Sequence, residues 1–169
     1  YWEKTRGASW FQGGNPSLRE YLKFAPADDD LNYTALSLKL VKQRGRDFTP
    51  DDVLDTWLRN LPFSAVCTAE KMAYRNRVMG LSYPRTARFR NTYREWIGAQ
   101  IRTDLYGYIS PGRPAEAARM AWQDAAASHT ENGIYGAIWV SAAIAAAFCE
   151  SDPRGVVLRG LEQVPAGSR

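Results

Sequence analysis

Apolar positions along this chain recur at helical spacing, and no stretch of any length alternates as a half-buried strand would. Pro16 to Phe24 carries Leu18, Tyr21 and Leu22 and predicts a first helix. Asp28 to Arg44 predicts a second, with Leu31, Ala35, Leu38 and Val41 on one stripe and Gly45 as its stop. Thr49-Pro50-Asp51-Asp52 is a strong helix start, with an N-cap threonine, proline at the first helical position and acids that suit the dipole. That helix runs through Trp57 and Leu58 to a break at Pro62. Thr68 to Leu81 follows, then a turn-rich stretch around Pro84 and Asn91, and a helix or helix-loop segment from Tyr93 to Tyr108. Ser110 to Pro114 is a loop. Pro114 to Ser128 is helical, bringing Ala117, Ala118, Ala121 and Ala125 close together, and a last helix runs from about Arg154 to Gln163.

Between these lies Gly133 to Cys149, without a charged residue. It falls short of the ~20 apolar residues that a membrane span requires. Its alanines and glycines suit a central helix that its neighbours approach closely. The expectation is an all-α fold in one compact domain over residues 1–169, with no membrane association.

Composition narrows the chemistry. Hydrophobic residues make up 45% and charged residues 24%, the balance of a globular domain. Two cysteines in unlike contexts give no disulfide framework, which fits a reducing, cytoplasmic setting. The net charge of +4 is modest. Basic residues gather between Arg75 and Arg102 with aromatics among them, but Glu95 interrupts them, so a solvated face with structural arginines is favoured over a nucleic-acid surface. No nucleic-acid partner is expected.

With one histidine and two cysteines, a zinc site of His and Cys is not expected. No nucleophile elbow, P-loop or dinucleotide fingerprint occurs. Ser128 and His129 are adjacent, so on a helix they would point about 100° apart and form no nucleophile–base pair. A metal would have to be held mainly by carboxylates, which favours Mg²⁺, Mn²⁺ or Ca²⁺. Asp28-Asp29-Asp30 is the candidate, since three consecutive acids repel one another unless something positive compensates. The competing reading is a capped helix start with excess acid. A second polar concentration, Asp124 to Gly136, joins two helices; there His129 and Asn132 either line a pocket or cap helix ends.

Three blocks together resemble the ADP-ribosylglycohydrolase family. Ala27-Asp28-Asp29-Asp30 resembles its Thr-Asp-Asp-Thr metal motif. Gly98-Ala99-Gln100-Ile101-Arg102, ahead of a Pro-Gly-x-Pro loop, resembles its Gly-rich segment ending in Met-Arg. Ser128-His129, after an Ala-rich helix, resembles its Thr-His element. The resemblance implies an all-α orthogonal helical bundle with two divalent ions, Mg²⁺ or Mn²⁺, and cleavage of the glycosidic bond of an ADP-ribosyl group. It puts Asp28 where the family has a liganding threonine, with Asp29 and Asp30 as paired catalytic aspartates that serve as metal ligands or general base. Gly98, Gln100, Arg102, His129 and Tyr135 fall along the substrate site. The implied partner is an ADP-ribosylated protein or a small ADP-ribosyl or ribosyl compound. The family's early glutamate and late Asp-x-Asp-Thr have no counterpart here, and the chain opens at Tyr1 without methionine. The expectation is therefore a portion of a longer chain, whose remainder supplies the other ligands. Two alternatives stay open: a non-catalytic member of the family, or a related hydrolase or lyase acting on another ribosyl or nucleoside substrate.

Overall fold

The computed structural model describes residues 28–168, and every regular element among them is helical. The expected helix over Pro16 to Phe24 lies outside the described residues. Helix α1 spans Asp29–Arg44, α2 Pro50–Asn60, α3 Thr68–Val78, α4 Arg85–Arg88, α5 Asp104–Tyr108, α6 Pro114–Ala125, α7 Asn132–Ala147 and α8 Pro153–Leu161. Short 3₁₀ turns occupy Phe63–Ala65 and Ile97–Arg102. The arrangement is the all-α fold expected from the sequence.

Local chemistry sets the helix ends. At α2, the Asp52 amide donates to Thr49 Oγ1 at 3.2 Å while the Thr49 amide donates to Asp52 Oδ2 at 2.9 Å, a reciprocal capping box with Pro50 just inside. At α1, Asp28 is the N-cap: its Oδ1 accepts from the Leu31 amide at 3.0 Å. Gly45 ends that helix with φ of 76°, a conformation glycine adopts without steric cost.

The face of α1 that points inward is not the one its leucines suggest. Leu31 and Leu38 are about half exposed, and the buried residues are Tyr33, Ser37 and Leu40. Polar atoms on the buried face weaken the apolar stripe. Tyr33 packs edge-on against Trp57 of α2, with ring centroids 5.3 Å apart, and both join Leu40, Phe48, Val53, Leu54, Tyr106 and Met120 in the main core.

Helix α7 is the central rod, packed against α5, α6, α8 and the 97–102 turn. Its inward positions include Gly133, Ala137, Ser141, Ala142 and Ala145, so neighbours approach at backbone distance. Gly107 shows how close: a Cβ there would lie 2.7 Å from the Ser141 carbonyl oxygen. Two buried hydroxyls tie α7 to the segment that follows the turn. Ser141 Oγ donates to the Thr103 carbonyl at 2.7 Å, and Thr103 Oγ1 donates to the Ala137 carbonyl at 3.3 Å. No described helix is long and apolar enough to cross a membrane.

Candidate functional site

The three acids at the start of α1 converge. One side-chain oxygen from each of Asp28, Asp29 and Asp30 lies within 4.8 Å of the others, all on exposed residues. Partial burial, then repulsion from Asp29 and Asp28, raises Asp30 above the usual carboxylate range. Asp104, the first residue of α5, is likewise raised, by burial and then by Asp30, so a fourth acid lies within electrostatic reach. Asp28 spends one oxygen on capping the helix, leaving its other oxygen available. Capped helix start and oxygen-rich cation cradle thus coexist, since carboxylate oxygens are the donors that a hard divalent ion takes.

A cavity of about 260 Å³ opens beside Asp29. Tyr33, Thr68, Glu70, Trp96 and Gly98 are among its walls, with Ile97 and Ile101 giving it apolar sides. Thr68 holds a φ of 40°, uncommon for a β-branched residue. Glu70, only 3% exposed, forms part of the lining. Its carboxylate occupies the place beside Gly98 that a side chain would fill: a Cβ on Gly98 would come within 2.7 Å of Glu70 Oε2.

Beneath the cavity lies a fully buried polar network centred on Arg102. Its Nε donates to Asp124 Oδ1 at 2.6 Å, and Nη1 donates to Glu70 Oε1 at 2.5 Å and to the Gly98 carbonyl at 3.1 Å. Nη2 donates to the Asp124 carbonyl at 3.2 Å and to Ser128 Oγ at 3.1 Å. All five guanidinium hydrogens are thereby used. The cation also faces the Trp57 ring at 4.8 Å and the Tyr33 ring at 5.6 Å. Burial pushes Glu70 upward against the pull of Arg102, and burial of Arg102 is outweighed by Asp124 and Glu70, which keep it charged. Tyr106 donates to Asp124 Oδ2 at 2.7 Å.

Ser128 and His129 correct the expectation drawn from their adjacency. They sit in a turn after α6, and Ser128 Oγ lies 2.8 Å from His129 Nδ1. The pair still makes no nucleophile. Both residues are buried, and burial, then Arg102, pushes His129 down to about 2, so the ring is a poor proton acceptor. Because Arg102 donates to Ser128, the serine hydrogen is best spent on Nδ1, which leaves the ring proton on Nε2. Nε2 has no hydrogen-bond partner among the described residues and points toward Glu70 Oε1, 3.9 Å away.

The sequence-predicted site residues therefore divide. Asp29 and Gly98 line the cavity, and Asp28 and Asp30 flank Asp29. Arg102 and His129 are not among its lining residues: their polar groups are committed to, or aimed at, protein partners one layer below. Gln100 and Tyr135 are half-buried and outside the lining; Gln100 instead packs over Gly136. Asn132 begins α7 and bonds Glu95 at 3.1 Å rather than capping a helix. Glu70, Tyr33, Thr68 and Trp96 were not singled out by sequence. The only available signal was Glu70 as the one acid in a basic helix. Arginines of the 75–102 stretch that pair with protein groups, such as Arg77 with Asp51 and Asp55, fit the structural reading of that region.

An all-α bundle with an acid-rimmed cavity above a buried ion-pair network is the class of protein that emerges. A family model for ADP-ribosylglycohydrolases matches residues 3–169, and the chain belongs to that family. No curated protein and no solved structure matches it.

Proposed function

We propose that this chain is part of a metal-dependent hydrolase that cleaves the glycosidic bond of ADP-ribosyl groups, with further metal ligands supplied from outside this segment. The observation that carries the reading is the convergence of three aspartates, one of which lines a cavity. Membership of a glycohydrolase family supports the reaction class. A bound Mg²⁺ or Mn²⁺ would supply Lewis-acid polarisation and a water of lowered pKa. Asp28, Asp29 and Asp30 are the residues that would hold such an ion, and their mutual repulsion is relieved by positive charge.

Asp29, reaching both the cluster and the cavity, orients the sugar relative to the acids, and Asp29 or Asp30 accepts the proton of the attacking water. Positive charge growing on the ribose ring in the transition state meets this anionic rim, which lowers its energy. The substrate is an ADP-ribosylated side chain or a small ADP-ribosyl compound. Release of free ADP-ribose from an ADP-ribosyl-arginine substrate by the complete protein, followed with Mg²⁺ and with EDTA, tests the reading. Turnover that requires the metal is expected; equal turnover in EDTA, or none in metal, rejects it.

A further inference from the structure

We propose that Tyr33 and Glu70 form a hydroxyl-recognition pair on the cavity wall, so that this cavity takes the sugar of the ligand and turns phosphate away. The inference rests on the functional reading above and assigns which part of the substrate enters.

The phenol of Tyr33 is buried, forms part of the cavity lining and has no hydrogen-bond partner among the described residues. Its ring is fixed by Trp57 and Arg102, so Oη cannot turn elsewhere without losing both contacts. Glu70 lies in the same wall. Its Oε1 is held by Arg102, whereas Oε2 has the Thr68 hydroxyl only at 3.5 Å, the outer limit of a hydrogen bond. Arg102 joins the two: its guanidinium lies 5.6 Å from the Tyr33 ring centre and Nη1 donates to Glu70 Oε1 at 2.5 Å.

One wall thus offers a donor without a partner and an acceptor with spare capacity. A hydroxyl satisfies both, donating to Glu70 and accepting from Tyr33. An ionised phosphate or carboxylate cannot donate to Glu70 and would meet its carboxylate in the same wall. Size agrees: about 260 Å³ falls below the ~300–1,000 Å³ of drug-sized sites, room for a sugar and not for a dinucleotide. Gly98 keeps the wall open, because a side chain there would displace the Glu70 carboxylate.

The test is calorimetric binding of ADP-ribose and of ADP to the purified full chain in Mn²⁺, with Tyr33→Phe and Glu70→Gln as variants. Tyr33→Phe keeps the ring contacts and so carries the test even where Glu70→Gln fails to fold. Wild type is expected to prefer ADP-ribose over ADP by at least about tenfold, and each folded variant to lose about five- to fiftyfold for ADP-ribose with no change for ADP. Equal binding of the two ligands by wild type, or wild-type affinity for ADP-ribose in Tyr33→Phe, overturns the pair. Turnover measured alongside separates the two claims. Metal-dependent turnover with unaltered Tyr33→Phe affinity rejects the pair alone, whereas ADP-ribose binding lost in Tyr33→Phe without wild-type turnover rejects hydrolysis and keeps the pair. Neither binding nor turnover by wild type overturns both.

Discussion

Replacing Arg102 by methionine removes the only cation in the buried network while keeping most of its apolar bulk. Glu70 loses its 2.5 Å partner and Asp124 its 2.6 Å partner, and both carboxylates stay within 4% of full burial. Removing one member of a buried ion pair costs about 3–5 kcal/mol, because the charge left behind is uncompensated. Here two acids are left, although Tyr106 still donates to Asp124 and softens the loss there. A domain of this size has roughly 5–15 kcal/mol of stability, so the variant is expected to be marginal at neutral pH. Urea unfolding followed by Trp fluorescence measures this directly, with the slope of the transition unchanged.

The deficit should depend on pH with a definite sign. Burial already raises Glu70 above its ordinary 4.5, and loss of Arg102 raises it further. From about pH 4.5 upward the unfolded chain releases a proton that folded Glu70 retains, so stability falls as pH rises through the folded value. Arg102→Met is therefore expected to lose more relative to wild type at pH 7.5 than at pH 5. A loss below about 1 kcal/mol at pH 7.5, or one that does not change with pH, would refute the network as described.

His129, held neutral with a value near 2, is the sole histidine. Below pH 6.5 the unfolded chain binds a proton that the folded ring refuses, which removes about 1.4 kcal/mol per pH unit as pH falls, partly opposed by Glu70 above 4.5. A ring NMR titration should show no protonation between pH 4 and 8, and His129→Gln should flatten the acid limb of stability. Gly98→Ala drives a methyl into the Glu70 carboxylate and should cost about 1–3 kcal/mol as an overpacked site, seen as a lower melting temperature. Leu54→Ala, at a fully buried core position, should cost about 2–5 kcal/mol in the same assay without altering ADP-ribose affinity.

What the sequence made legible follows the range of the interactions concerned. The capping box at Thr49 and Asp52, the stop at Gly45 and the proline-led start of α6 are decided within four residues, and each appears where the pattern predicts. The uncharged run that became α7 was also plain, since alanine and glycine at close spacing serve little else in a helical core. The inward face of α1 was not, because Tyr33, whose ring packs on Trp57 and Arg102, and Ser37 are buried while Leu31 and Leu38 stay outside.

The site divides in the same manner. Three adjacent aspartates announce themselves, but the cavity they adjoin draws Glu70 from 40 residues away in sequence and Trp96 from farther still. Arg102 and His129 fall in family-like motifs, yet Arg102 bonds Asp124, Ser128 and Glu70 across gaps of 22 to 32 residues, and His129 meets Ser128 beside it. Spacing along the chain cannot distinguish an arginine that greets a ligand from one that holds the wall behind it.

The decisive quantity is the affinity of the acidic cluster for a divalent ion. Mn²⁺ titrated into the full chain and followed by the loss of its free electron-spin signal should show specific binding that Asp29→Ala with Asp30→Ala abolishes while the melting profile of the double variant remains cooperative. Undiminished Mn²⁺ binding in that folded variant would contradict the account, since the three carboxylates would then not be the cradle.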